Sequence, residues 1–358
     1  MADAFATATI AAARGYAVGV NYRDNAAAAD AVVRSIREAG GRADLVAKEK
    51  SELDVLAEVT RRTGGAPIPD DLEVEVLHSG ISTGTERMLW DGSMPAFPGM
   101  GYPLVPGYET VGVVRAAPQA CPIRPGDTVF VPGSYSFDGV HNLFGGAGST
   151  LRVAASRVVP VSPDLGEQAV LLALAATAYH AVARGGQGDP DLPPDLIVGH
   201  GVVGRLLARM TVAAGFAPPT VWETDPARRG GAEGYTVVAP GDDARKDYRA
   251  IYDVSGDTEV LNTAIPRLQM GGEVVLAGFY KEQLSFAYAP AFLREARIRV
   301  AAEWKRPDLM AVTQLVEEGR LSLAGLVTHT RPTGQAQDAY AAAFGDPLCL
   351  KMVLDWRH

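Results

Sequence analysis

The sequence predicts a mixed α/β chain: a parallel, doubly wound sheet that follows a β-rich domain. Between residues 195 and 278, short apolar strands alternate with helical stretches, the order that produces parallel strands joined by crossover helices. Between residues 72 and 161, short strands are separated by turns rich in Gly and Pro, the pattern of a strand-dominated domain. The chain has 358 residues, more than one ordinary core organises at about 100–200 residues per domain.

Residues 1–63 read as a separate α/β segment. An Ala-rich helix over Phe5–Arg14 reaches Gly15, and Tyr16–Tyr22 is a short β-rich run. Asp24 or Asn25 can cap a helix over Ala26–Ala39, which Gly40 and Gly41 stop. Arg42–Ala47 reads as a strand and Leu53–Arg62 as a helix, with the Gly-, Pro- and Asp-rich Thr63–Asp71 as the boundary. Leu72–Leu77 (LEVEVL) alternates apolar and acidic residues, the period of a half-buried strand. Further strands are expected at Gly112–Arg115 and Thr128–Val131, and a helix at Gln168–Arg184. After Pro193 and Pro194 the order is strand Asp195–Gly199, helix Arg205–Ala214, and strands Thr220–Glu223 and Ile251–Ser255. Glu259–Leu268 reads as helical, Gly271-Gly272 as a turn and Glu273–Gly278 as a strand. A helix near Asp308–Glu318 and a strand at Cys349–Asp355 close the chain.

Apolar residues make up 47% and charged residues 21%, the balance of a soluble globular protein rather than a disordered one. The formal charge of −9, without any Lys/Arg block, argues against a nucleic-acid partner, because phosphate binding rests on clustered cations. Cys121 and Cys349 are the two cysteines, too few for a disulfide framework or a four-cysteine zinc lobe. Free thiols suit a reducing compartment, no apolar run reaches the ~18–20 residues of a membrane span, and Met1–Ala13 lacks the basic start of a signal peptide. The expected location is cytoplasmic.

The strongest motif is Gly199-His200-Gly201-Val202-Val203-Gly204, a G-x-G-x-x-G between an expected strand and an expected helix. Gly199 permits the tight turn, Gly201 lets a diphosphate approach the backbone, and Gly204 lets helix and strand pack closely. The helix N-terminus offers unpaired N–H groups and partial positive charge to phosphates. Glu223 ends the next strand 19 residues after Gly204. A carboxylate there accepts hydrogen bonds from ribose hydroxyls and repels a 2′-phosphate, so the expected cofactor is NAD. Arg228 and Arg229 stand near enough to soften that preference. The competing reading is a glycine turn without a ligand, and His200 is expected to fill space beside the phosphates rather than transfer protons.

From about Pro67 onward the chain resembles the medium-chain dehydrogenase/reductase superfamily. The stretches that carry the resemblance include Ser79–Glu86 (SGISTGTE), Phe97–Glu109 (FPGMGYPLVPGYE), Ala175–Ala181 (AATAYHA) and Leu196–Arg209 (LIVGHGVVGRLLAR). Ala250–Asp257, Val275–Tyr280, Ser285–Trp304 and Cys349–Trp356 extend it. The resemblance implies a GroES-like catalytic domain (67–165 and 296–358) and a Rossmann domain (166–295). It also implies oxidation of the hydroxyethyl side chain of a chlorophyllide-type tetrapyrrole to acetyl, as in bacteriochlorophyll biosynthesis, with hydride passed to NAD. Thr177, Ser255 and Gly278 fall where such proteins line the nicotinamide and adenosine, and the family's habit implies a dimer or a tetramer, a homodimer being the candidate. Residues 1–63 instead resemble the second strand, following helix and third strand of a short-chain dehydrogenase. The glycine turn such a protein needs is missing, so the segment, Arg23 included, reads as accessory.

Zinc-type relatives carry a Cys and a His where this sequence has Ser82 and Tyr108, with Glu109 retained. A catalytic zinc takes three protein ligands from Cys, His and carboxylate, so zinc-free chemistry is the preferred expectation. Tyr108 is then the natural proton relay, with Glu109 adjoining it and Ser82 and Thr85 orienting the substrate hydroxyl. Tyr108 as a buried aromatic and Glu109 as a structural carboxylate are the bland alternatives. Trp90, Met94, Phe97, Met100 and Tyr102 would suit a broad apolar pocket for a flat ring, or else form a small core under a loop. Two other functions stay open: a zinc-independent quinone or enone reductase of the same fold, and a catalytically silent nucleotide- or pigment-binding protein.

Overall fold

The computed structural model describes residues 17–21, 33–34, 37–38, 42–46, 71–96, 100–119, 121–137, 140–183 and 192–357. The expected helices at Phe5–Arg14 and Leu53–Arg62, the boundary at 63–70, Arg23 and Phe97 lie outside them. The chain divides into two units, one of residues 1–76, 96–108 and 112–160, the other of 77–95, 109–111 and 161–358.

In the first unit, strands Ala17–Asn21 and Arg42–Val46 pair in parallel, Ala17 opposite Arg42. That is the pairing expected of two strands joined by a crossover. The acidic-apolar alternation at Leu72–Leu77 opens a longer strand, Asp71–Ile81. Its first residues pair antiparallel with Thr150–Ala154, and Leu72, Val74 and Leu151 are fully buried. Thr128–Val131 pairs antiparallel with Val159–Pro160. Leu104–Pro106 and His141–Leu143 form a parallel pair of their own.

The second unit holds a six-stranded parallel sheet. From one edge its strands are Thr236–Val238, Thr220–Trp222, Leu196–Val198, Tyr248–Asp253, Leu268–Leu276 and Arg297–Val300. The order reverses at Leu196–Val198, giving the doubly wound Rossmann arrangement whose ligands bind beyond the carboxyl ends of the strands at the reversal. The central strands are apolar on both faces, as a sheet covered by helices requires. Ile197, Val221, Ile251 and Val274 are fully buried, and Tyr248, Leu261 and Ile265 join the core on one face. The same unit holds Met352–Asp355, paired antiparallel with the end of Asp71–Ile81 and in parallel with His329–Pro332.

Several expectations need correction. The helical reading of Glu259–Leu268 shrinks to Val260–Ala264 and a 3-10 turn at Ile265–Arg267, because Pro266 removes an N–H from the ladder. Gly271 and Gly272 do not separate two elements but lie inside strand Leu268–Leu276, which shifts register between its two ends. Helices Thr85–Asp91 and Ala336–Gly345 and strands Arg297–Val300 and His329–Pro332 were not anticipated. Pro163–Val182 is 20 residues long with hydropathy 1.2, so an apolar run of spanning length does exist. It breaks at Gly166 (φ 51), and 56% of its apolar window is buried, as in a core helix.

Candidate active site

Strand Leu196–Val198 runs into Gly199 at φ 104, backbone that glycine adopts without a steric penalty. A Cβ on Gly204 would stand 1.9 Å from the Gly199 carbonyl oxygen, so strand and helix approach too closely for any side chain there. Gly201 differs. The atom nearest its missing Cβ is Nη2 of Arg228 at 3.6 Å, and the rest is open. Helix Val202–Ala213 starts at that opening without a side-chain cap, so the first N–H groups of Val202, Val203 and Gly204 have no partner in their own helix. Open space, unpaired N–H donors and a helix dipole make an anion cradle.

Glu223 closes one side of it. Oε2 accepts from the His200 backbone N–H at 3.3 Å and Oε1 from the Asp225 N–H at 2.9 Å. The Gly199 N–H bonds the Trp222 carbonyl at 2.9 Å, so strand and turn are locked side by side. The carboxylate therefore lies at the glycine turn, as the spacing predicts. Arg229 spends its guanidinium on the carbonyls of Glu223 and Thr224, at 2.8 and 2.9 Å. The Arg228 guanidinium stands 3.9 Å from Glu223 Oε2, and its Nε, buried, has no hydrogen-bond partner.

Both nitrogens of the His200 ring are committed: Nδ1 lies 2.8 Å from the Arg228 carbonyl and Nε2 2.8 Å from the Tyr235 hydroxyl, with the side chain fully buried. Burial pushes its pKa down to about 4. The neutral ring must donate from Nδ1 to the carbonyl and accept the Tyr235 proton at Nε2. Arg205, also buried, reaches the carbonyls of His200, Arg228, Gly230 and Gly231 at 2.9–3.1 Å. Together they pin the segment after Glu223 against the turn.

Ser255 and Gly278 sit at the ends of the neighbouring strands. A Cβ on Gly199 would meet the Ser255 backbone at 3.2 Å, and one on Gly278 the Gly256 nitrogen at 3.3 Å. Asp253, fully buried, accepts from the Ser255 hydroxyl at 2.6 Å and from the Tyr280 phenol, and burial raises its carboxyl above the ordinary range. Thr177, half-buried, bonds its hydroxyl back to the Ala173 carbonyl at 3.1 Å. His180, one turn on, meets Asp308 at 2.7 Å.

The expected catalytic residues fall in both units. Tyr108, half-buried in the first, packs edge-on to Phe144 with ring centres 5.5 Å apart. Met100 there is half-buried and Tyr102 exposed. Ser82, Thr85, Glu109, Trp90 and Met94 belong to the second unit, where Ser82 and Met94 are buried and Thr85 begins helix Thr85–Asp91. Glu109 is fully buried, with Oε2 2.5 Å from the Lys351 ammonium, which also donates to the Ile81 carbonyl at 3.2 Å. Its Oε1 has no hydrogen-bond partner among the described residues. A Cβ on Gly80 would come 2.3 Å from Glu109 Oε2, so glycine makes room for the carboxylate. Glu86 is buried nearby. Desolvation first, then the charge of Glu109, push its pKa up to about 8 against the pull of Lys351. Both Glu86 oxygens are without a hydrogen-bond partner among the described residues, and the Tyr340 ring stacks on the exposed Trp90 at 5.7 Å and 4°. Phe344 tilts against both rings.

Lys351, Tyr340 and Phe344 escaped the sequence reading. The signal available was a lysine between Leu350 and Met352 in an otherwise apolar strand. A cavity of about 420 Å³ elsewhere in this unit, lined by Tyr179, Met210, Phe216, Leu315 and Leu321, includes neither the glycine turn nor the carboxylate cluster.

No protein-family model matches the sequence. The chain is 56% identical over 297 residues to a 2-desacetyl-2-hydroxyethyl bacteriochlorophyllide A dehydrogenase of Cereibacter sphaeroides, covering 81% of this chain and 92% of that protein. It is 57% identical over 293 residues to the protein of the same name in Rhodobacter capsulatus, with the same coverage. This chain belongs to the bacteriochlorophyllide dehydrogenase family of medium-chain dehydrogenases. Solved medium-chain dehydrogenases share its fold. One solved structure, described as a short chain alcohol dehydrogenase from Escherichia coli complexed with NADH, superposes at TM-score 0.67 with 19% identity over 81% of this chain and 93% of its own. A putative zinc-binding dehydrogenase from Sinorhizobium meliloti, bound to NADP, gives 0.67 and 19% over 80% and 92%. The family makes this chain an oxidoreductase of the alcohol dehydrogenase type.

A medium-chain dehydrogenase of the zinc type needs thiolate, imidazole and carboxylate donors. Here position 82 is a hydroxyl and position 108 a phenol, while Glu109 already holds an ammonium. The donor set does not fit zinc. It does fit a dinucleotide, since the open side of Gly201 and the carboxylate at the turn are what the diphosphate and ribose require.

Proposed function

We propose that this protein oxidises the 3-(1-hydroxyethyl) group of a bacteriochlorophyllide to acetyl, with NAD rather than NADP as hydride acceptor. The observation that carries the cofactor half is Glu223, whose carboxylate sits where a 2′-phosphate would be repelled. Arg228, over the Gly201 opening, faces the diphosphate and can give it a charge-assisted contact. Arg229, spent on backbone carbonyls, does not weaken the preference. The substrate half comes from the relatives' activity and suits the Trp90, Tyr340 and Phe344 face, aromatic surface on which a flat macrocycle can stack. The same carboxylate argues against a quinone or enone reductase that prefers NADPH.

Bound nicotinamide would supply the hydride acceptor. The chain's own part is to orient the secondary alcohol and take its hydroxyl proton. Ser82, Thr85 and Tyr108 are the proposed orienting and relaying hydroxyls, and Glu109 the proposed destination of the proton, its Oε1 being without a hydrogen-bond partner among the described residues. His200 takes no part, because its nitrogens are committed and its ring neutral. The expected assay is conversion of a hydroxyethyl bacteriochlorophyllide in the presence of either coenzyme. NAD should be reduced and NADP barely so, with no effect of a zinc chelator. Reduction of neither coenzyme would end the proposal.

A homodimer is also proposed. Strand Arg297–Val300 ends the parallel sheet with Val300 70% and Ile298 38% exposed, and Phe292 and Leu293 stand exposed on the helix before it. An open apolar edge invites pairing with its own copy. Light scattering should give twice the chain mass, and Val300→Lys should halve it.

A further inference from the structure

We propose that Lys351 and Glu86 are the positioning residues of a buried proton-accepting carboxylate, Glu109. This rests on the alcohol oxidation proposed above. Lys351 is 1% exposed, on strand-side sequence 242 positions from Glu109, and its ammonium has one anionic partner, Glu109, at 2.5 Å. An unpaired carboxylate and an unpaired ammonium are both very costly to bury; paired, each keeps the other charged. The absent side chain of Gly80 admits the pair, and Oε1 of Glu109 stays without a hydrogen-bond partner among the described residues. Glu86 completes the group. It is buried with both carboxyl oxygens without a hydrogen-bond partner among the described residues, and with its proton on, Glu86, Glu109 and Lys351 sum to zero charge.

The chemistry balances. As the substrate C–H pair leaves as hydride to the oxidised nicotinamide, the C=O bond forms and the O–H proton passes, directly or through a hydroxyl, to the Glu109 carboxylate. Burial raises the Glu109 carboxyl above the ordinary range, and the Lys351 ammonium draws it back toward the charged form. A neutral Glu86 spares it a second negative neighbour.

Three variants of the full-length chain test this, with pH profiles of kcat and NADH affinity by fluorescence. Lys351→Met should bind NADH as the wild type does and lose at least about 10-fold in kcat. Its acid limb should move upward by about one pH unit or more. Lys351→Arg should recover part of the rate. The wild-type kcat should show an inflection near pH 8 that Glu86→Gln abolishes. Infrared difference spectra should show a protonated carboxyl at neutral pH that vanishes in Glu86→Gln and disappears as wild-type protein is taken above pH 8. A wild-type profile in Lys351→Met, or an inflection and carboxyl band that survive Glu86→Gln, would overturn the assignment. If Lys351→Met does not fold, the Arg variant and the infrared band decide. The band needs no turnover, so an inactive wild type would defeat the proposed reaction while the band still reported the cluster.

Discussion

Glu86 offers a test that depends on no substrate. Its carboxyl is 2% exposed and its pKa moves from 4.5 to about 8. The folded chain thus holds a proton that the unfolded chain releases from about pH 4.5 upward, so stability falls with rising pH and levels off above about 8. At about 1.4 kcal/mol per pH unit the whole effect is about 5 kcal/mol, of which about 2 is already lost at pH 6. Gln has the shape of the protonated acid and no titration. Glu86→Gln should therefore gain about 3 kcal/mol on the wild type between pH 6 and pH 9, every other titrating group cancelling in the comparison. Urea unfolding followed by tryptophan fluorescence at the two pH values measures it, because the midpoint moves while the slope stays constant. Parallel behaviour of the two proteins, to within about 1 kcal/mol, would show that Glu86 is ionised when folded and that the reasoning is wrong.

Four further outcomes bear on the glycine turn. Gly201→Ala should leave the melting temperature unchanged, because its Cβ meets open space, yet weaken NADH binding in a fluorescence titration. Gly204→Ala, whose Cβ would strike a carbonyl oxygen, should lower the melting temperature as well. Arg205→Met should destabilise by several kcal/mol in urea, since it strips donors from four backbone carbonyls at about 1–3 kcal/mol for each one left unsatisfied. Deleting residues 1–60 should leave NADH affinity unaltered, because every residue assigned to the turn lies between Leu196 and Gly278; a large loss would show that the segment is not accessory.

What could be read from the sequence was local. The glycine turn and Glu223 stood out because strand, turn and helix are contiguous, and the spacing of a parallel βαβ unit puts the second strand's end beside the first turn. The LEVEVL alternation exposed its strand for the same reason. The carboxylate cluster was hidden. Glu109 is visible as a lone acidic residue, but its partner is 242 positions away, and no periodicity announces which lysine becomes buried. Helix Ala336–Gly345 was missed because its apolar face is mostly alanine, leaving little contrast with its other face. The alternation also failed at Leu268–Leu276, where a glycine pair that reads as a turn instead lets the strand change register.

The clamp formed by Arg205, His200 and Tyr235 has a bearing on how tightly a nucleotide is held. Four carbonyls and a neutral imidazole are satisfied from within, so the loop carrying Arg228 is already in shape before any ligand arrives. Association then forfeits little chain freedom on this side, and more of the contact energy survives as affinity. Differences in coenzyme residence time among relatives should accordingly track the residues that touch the nicotinamide half, with the adenosine half acting as a rigid dock.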